Sequence, residues 1–264
     1  MMKGLFTAAS GMKVQQVNVD VIANNLANVN TAGYKRTQAD FQDLLYVVLK
    51  EPGAQSGAGG FTTPSGVQIG SGAELVSTTK VFTPGVLEQT ERALDVAILG
   101  DGFFEVDLPN GQKGYTRDGG LRVDGAGDLV TAQGNKISPP INIEDAADKN
   151  ITIAPDGTIT VKNTESGVTT TLGTLQIARF ANPAGLRSGG GNLMFATASS
   201  GEPTLANPGQ SGTGTLGQSM LERSNVNVVN ELVNLITAQR AYEMNSRAIK
   251  AGDEMLSEAS NLVR

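Results

Sequence analysis

Gly212, Gly214 and Gly217 stand in the G-x-G-x-x-G spacing that can bring a backbone close to a pyrophosphate. That chemistry also needs an apolar strand before the first glycine and a helix opening on the last. Asn207-Pro208-Gly209-Gln210-Ser211 precedes them instead, so the three glycines read as loop. Asp124 and Asp128, set among glycines, suggest a calcium loop, but the D-x-D-x-D-G spacing and its terminal Glu are missing. Both acids read as hairpin-turn carboxylates. Glu144 with Asp145, or Glu105 with Asp107, could supply the paired acids of a glycosidase. Nothing in their spacing sets them across a cleft, and the middle of the chain has few aromatics to stack on a sugar. The 264 residues include no His and no Cys. This removes Ser-His-Asp catalysis, the usual zinc ligands, thiol nucleophiles and disulfides together. No catalytic residue, cofactor or metal is expected from these motifs, although carboxylate or lysine chemistry is not removed.

The elements themselves are more informative. A net charge of -6 argues against nucleic acid, which needs a basic stripe. No apolar run reaches the roughly 18 residues of a membrane span. After Lys3 the chain runs into Gln15, Gln16, Asn18 and Asp20 without an apolar h-region, so no cleaved secretory signal peptide is expected. Near the N-terminus Leu5, Ala8, Met12, Val19, Ile22, Leu26 and Val29 recur in steps of three and four, broken only by Gln15. Near the C-terminus Val228, Leu235, Tyr242, Ile249, Leu256 and Val263 fall at every seventh residue, flanked by Val229, Leu232, Ile236, Met255 and Leu262. A seven-residue repeat keeps one helix seam facing a partner. The first pattern predicts a helix over 3–31 and the second a helix from Asn227 to about Val263. Asn24, Asn25, Asn28 and Asn30 suit a solvated helix face poorly, because their amides compete with the backbone. They suit a place where amides find partners across an interface. A helix hairpin inside one monomer is the plainer use of both seams; assembly is the sharper one.

Between the helices the chain is Gly-rich and strand-like. Pro109-Asn110-Gly111, Asp124-Gly125 and Pro155-Asp156-Gly157 each lie between short alternating segments, as hairpin turns do. A partly closed barrel or a sandwich is expected there. Residues 53–72 read as an extended loop or long hairpin, ordered by a neighbour or not at all. The fold class is α+β: long N- and C-terminal helices forming a coiled-coil-like core domain, with an all-β domain inserted between them. Its three parts are 1–31 with 227–264, a terminal-helix polymerisation domain; 32–72 with 208–226, connecting segments and the long loop; and 73–207, the β-rich centre.

Ala23-Asn24-Asn25-Leu26-Ala27-Asn28-Val29-Asn30-Thr31-Ala32-Gly33-Tyr34-Lys35-Arg36 resembles, almost residue by residue, a signature of the bacterial flagellar basal-body rod and hook family. Leu221-Glu222-Arg223-Ser224-Asn225-Val226-Asn227 and the stretch from Glu231 to Leu256 resemble the family's C-terminal region. Tyr115-Thr116-Arg117-Asp118-Gly119 is similar to part of its central domain. Pro52, Gly53, Ala54, Gln55 and Ser56, with Pro64, Ser65 and Gly66, resemble a loop of the family's distal-rod branch. Leu121 stands where an aromatic is usual, and Gly57 to Phe61 also departs from the common pattern. The resemblance implies a structural subunit that polymerises into a periplasmic tube through its terminal helices. It further implies passage through the flagellar type III export apparatus. The implied neighbours are copies of itself, proximal rod subunits, hook subunits and, in a Gram-negative cell, the L- and P-ring bushing. The loop would make the rod straight and stiff. A proximal rod or hook subunit is the alternative within the family, and a periplasmic wall-cleaving enzyme is the rival outside it.

Overall fold

The computed structural model describes residues 2–53, 65–143, 150–162 and 168–262. Ala54, Gln55, Ser56, Pro64, Glu144, Asp145 and Val263, which carry expectations above, lie outside the described residues. The chain divides into two compact units.

The first unit takes the described residues of 1–26, 37–79 and 228–264. It holds two long helices, α1 (Met2–Ala27) and α2 (Val228–Leu262), and four strands. The strands are β1 (Thr37–Asp43), β2 (Tyr46–Lys50), β3 (Val67–Gly70) and β4 (Ala73–Lys80). Helix α1 stops four residues short of the expected end. The cause is the asparagine chemistry itself. The Thr31 hydroxyl donates to Asn28 Oδ1, and the Thr31 N–H donates to Asn28 O, so a local turn replaces the helix ladder. The two helices lie side by side and antiparallel. A Cβ added to Gly252 would meet Leu5 Cδ2 at 2.6 Å, and one added to Gly11 would meet Asn245 Nδ2 at 2.9 Å. At the other end Asn25 Nδ2 approaches Glu231 Oε2 at 3.5 Å. Partners thus descend along α2 as they climb along α1. Strand β1 pairs with β4, tied by Ser77 and Thr79 hydroxyls that both donate to Asp40 Oδ2. Strands β2 and β3 form an antiparallel hairpin.

The second unit, residues 27–36 and 80–227, is built from short strands. In order they are β5 (Leu87–Gln89), β6 (Val96–Leu99), β7 (Phe103–Asp107), β8 (Lys113–Thr116), β9 (Arg122–Val123), β10 (Leu129–Val130), β11 (Lys136–Ile137), β12 (Asn150–Ile153), β13 (Thr158–Lys162), β14 (Thr169–Thr174), β15 (Ile177–Arg179), β16 (Arg187–Gly190), β17 (Leu193–Phe195), β18 (Thr204–Ala206), β19 (Thr215–Gln218) and β20 (Met220–Glu222). The largest sheet runs β16-β17-β8-β7-β11-β10-β9, and β15 with β18 joins it at β7. Strand β7 is its hub: β8 lies along one edge, while β15 and β11 share the other. The expected hairpins at Asn110-Gly111 and Asp156-Gly157 join β7 to β8 and β12 to β13. At the third, between β9 and β10, the left-handed residue is Gly127, not Gly125. Asp124 Oδ1 accepts the N–H groups of Ala126 and Asp128 and so sets that turn.

Strand β7 is buried on both faces, as a central strand requires. Phe104 and Val106 point into the main core with Leu121, Ile137, Ile159, Leu175 and Ile177. Phe103, one residue out of phase, joins Tyr115, Phe180, Leu186 and Met194 on the other side. There the Phe103–Phe180 and Tyr115–Phe180 rings meet edge to face, with centroids 5.8 Å and 4.8 Å apart. Phe104 is fully buried at the hub, so Phe104→Ala is predicted to cost about 3–5 kcal/mol. Urea unfolding followed by circular dichroism in the β region checks this; a loss under about 1 kcal/mol would show that the hub is elsewhere.

Candidate functional site: a buried ion cluster and open apolar faces

Three charged side chains from distant parts of the chain meet inside the second unit. Lys35, Arg117 and Glu222 have side chains between 0% and 3% exposed. Glu222 Oε1 accepts from Lys35 Nζ at 2.6 Å and from the Gly85 N–H at 2.8 Å. Its Oε2 accepts from Arg117 Nε at 2.9 Å. Lys35 Nζ also donates to Thr83 O, and Arg117 Nη2 donates to Ile98 O and Gly100 O. Burial pushes the Glu222 carboxyl up, but Arg117, the Gly85 N–H and Lys35 together outweigh it and hold it below the usual range. Burial pulls the Lys35 ammonium below its ordinary value, against the hydrogen bond it donates to Glu222, which favours its charge.

Local structure explains why these residues arrive together. Gly33 has φ +68° and lies against the Arg117 backbone, where an added Cβ would come within 2.6 Å of the Arg117 carbonyl carbon. Its N–H donates to Glu222 O at 2.8 Å. Asn225 completes the lock: its Oδ1 accepts the Arg36 N–H at 2.7 Å, and its Nδ2 donates to Val81 O and Thr83 O. Lys80 sits 5.1 Å over the Tyr34 ring. In the first unit Asn25, also buried, works as a two-way clamp. It accepts the Thr37 N–H at 2.9 Å and donates to Thr37 O at 2.8 Å.

Of the other signature residues, Asn24 and Ala27 are exposed; Leu26, Asn28, Thr31 and Tyr34 are half-buried; and Gly33 and Lys35 are buried. On α1 the apolar residues Leu5, Met12 and Val19 are half-buried and Ile22 is buried; Val29, beyond the helix end, is half-buried. On α2 the half-buried Leu235, Ile249 and Leu256 share a face with buried Glu231, Ala238 and Gly252. Val228, Leu232 and Tyr242 are exposed. A strict seven-residue spacing drifts about 20° per heptad on a straight helix, which carries the line from the open side at Val228 into the seam at Leu256. Roughly opposite that seam, Val229, Val233, Ile236 and Met244 form a second stripe, 50–69% exposed. The β2–β3 hairpin is similarly bare, with Leu45, Tyr46, Val48, Leu49, Val67 and Ile69 all exposed. Pro52, Gly53 and Ser65 at its tip are exposed, and Gly66 packs within reach of Lys50 O and Pro52. Contiguous apolar surface of this kind marks an interaction site.

Asp128, Glu105 and the glycines of the G-x-G-x-x-G spacing have structural contacts. Asp128 pairs with Lys136 and accepts from Asn142 Nδ2. Glu105 is buried and pairs with Lys113. Gly214 and Gly217 let β19 pack on β6 and lead into a strand, not a helix. Sequence reading quoted Arg117 and Glu222 only as parts of longer resemblances.

Three family descriptions match the chain: flagella basal body rod protein over residues 5–35, flagellar hook protein FlgE/F/G D1 domain over 97–161, and flagellar basal body rod FlgEFG protein C-terminal over 218–262. Among curated proteins, the flagellar basal-body rod protein FlgG of Borreliella burgdorferi is 46% identical, covering 100% of both chains. The FlgG proteins of Caulobacter vibrioides and Bacillus subtilis are 45% and 37% identical, covering 99% and 100% of both chains.

Replacing Glu222 with Gln leaves two cations buried around a neutral amide. We predict that Glu222→Gln costs about 3–5 kcal/mol in chemical unfolding. The pH dependence follows from the lowered carboxyl. Its stabilisation is full above the unfolded value, about 4.3, and is lost as pH falls through the lower folded value. The variant should therefore show a flatter acid limb; an unchanged limb would remove Glu222 from the acid response.

Proposed function

This chain belongs to the flagellar basal-body rod and hook family, as a structural subunit of the rod, and from that premise we propose how it builds the distal part. The observation that carries the reading is the two-faced helix α2. One face packs on α1, and the opposite stripe, Val229, Val233, Ile236 and Met244, stays open in the single chain. A helix apolar on both sides is stable only when both are covered. The cover is a second copy of the same unit, and the repeated contact gives a tube with the terminal helices wound coiled-coil-like around its inner wall. Burying one such side chain fully contributes about 1.5–3 kcal/mol, and a polymer repeats the gain at every subunit.

The remaining roles follow from the family. The terminal helices act as the polymerisation domain, and their apolar lines are Leu5, Met12, Val19, Ile22, Leu26 and Val29 near the N-terminus and Val228, Leu232, Leu235, Tyr242, Ile249, Leu256 and Val263 near the C-terminus. Residues 73–207 act as the β-rich centre. The β2–β3 hairpin and the loop it carries reach neighbouring subunits and stiffen the rod; the hairpin's bare apolar surface supports this. The subunit leaves the cell by flagellar type III export without a cleaved signal and assembles in the periplasm. Proximal rod subunits bound it on one side and hook subunits on the other, inside the L- and P-ring bushing where an outer membrane exists. Torque passes through it by contact, without catalysis.

Val233→Asp, at an exposed site, is predicted to leave the monomer's circular dichroism unchanged while raising the critical concentration for polymerisation at least about tenfold. Sedimentation of induced polymers measures it; normal polymers would place the contact on another face. Deleting residues 53–66 should preserve export but change rod curvature or stiffness in electron micrographs. Straight rods built by the deleted protein would end the stiffening role.

A further inference from the structure

A recess of about 160 Å³ opens in the second unit, with Arg117 of the ion cluster in its wall. Phe82, Phe103 and Phe180 wall it, and Arg117, Arg179 and Asp101 supply its charges. Arg117 uses Nε on Glu222 and Nη2 on two carbonyls, while its Nη1 has no hydrogen-bond partner among the described residues. That nitrogen leaves an unused donor at the recess, where the Arg117 guanidinium also lies 5.9 Å from the Phe103 ring centroid. The charge count points the same way. Lys35 and Arg117 face a single carboxylate, Glu222, so the buried cluster carries one positive charge in excess. At the rim, Arg179 and Asp101 offset each other. The Phe82–Phe103 pair meets edge to face with centroids 5.5 Å apart, and ring edges carry partial positive charge.

We propose that this recess is a carboxylate-binding site for an acid about the size of benzoate. Arg117 Nη1 and Arg179 hold the anion, and the three phenylalanines hold its apolar body. The volume matches, since an apolar cavity near 150 Å³ takes a benzene ring. Charge-assisted bonds to a guanidinium suit a planar carboxylate. Two sources share this chemistry: a free small acid, or an acidic side chain presented by a second copy of the chain.

Calorimetry on the full-length monomer compares benzoate with benzamide, its neutral analogue. Benzoate should bind at least about tenfold more tightly. Arg179→Gln should weaken it about fivefold or more, and Asp101→Asn should strengthen it about threefold; both positions are exposed, and circular dichroism confirms that each variant folds. Equal binding of acid and amide, or none by about 50 mM benzoate, overturns the proposal. Repeating the titration on polymer separates the sources. Binding lost on assembly means that a neighbour's carboxylate fills the recess, and binding retained means that a free acid does.

Discussion

A carboxylate taken out of water must be met by donors on both oxygens, and Glu222 places that demand on widely separated stretches of chain. Lys35 arrives from near the N-terminal helix, the Gly85 N–H from a loop, and Arg117 from the position just after β8. Each must be in place for the others to be tolerated. The cost of desolvating three ions is large, and their mutual attraction does little more than offset it. What such a cluster supplies is discrimination: a register slip on any of the three segments leaves a buried charge alone. Arg suits the 117 position because its Nε and Nη2, held apart in one rigid fork, reach Glu222 and two carbonyls at once.

In the first unit the same logic runs on apolar surface and a single amide. Ion pairs contribute little along α2. Glu243 and Arg247 stand in the favourable order but 3.9 Å apart and well exposed, a pair worth only tenths of a kcal/mol. Asn25 does more, since its buried amide pairs with both backbone groups of Thr37, as a strand neighbour would. It joins the end of α1 to the start of β1 and, through Glu231, to the first turn of α2. The helices are thus pinned at one end by hydrogen bonds and along their length by close approach, with Gly11 and Gly252 making room for Asn245 and Leu5. The pinned face leaves the other face of α2 free for a partner.

Much of this was legible in the chain because the signals are local. Two helices, a strand-rich middle and most hairpin turns follow from period, from Gly and Pro, and from Asn or Asp beside them. The suspicion that the asparagine cluster sought partners across an interface fits Asn25, which reaches Glu231. Asn28 lies in the turn after α1, where its Oδ1 accepts from the Thr31 hydroxyl and its carbonyl from the Thr31 N–H. The meeting of Lys35, Arg117 and Glu222 was not legible, because no spacing rule links residues 105 and 187 positions apart. Nor could period alone reveal that β7 takes β15 and β11 on one edge. The seven-residue line on α2 was real, yet it drifts around the helix, so neither face of α2 is described by that line alone.

The missing residue types bear on how such a surface behaves. Without His or Cys, no side chain has an ordinary pKa between about 5 and 8, so the charge pattern of the subunit is nearly fixed across neutral pH. The carboxylate that matters most, Glu222, is held below its usual range and stays ionised well into acid. The exposed stripe of Val229, Val233, Ile236 and Met244 carries no charge at all, and salt that would screen ion pairs leaves the burial of such a surface intact. The fold is locked by ions hidden from solvent, and the exposed stripe of α2 is one whose burial solvent ions would not weaken.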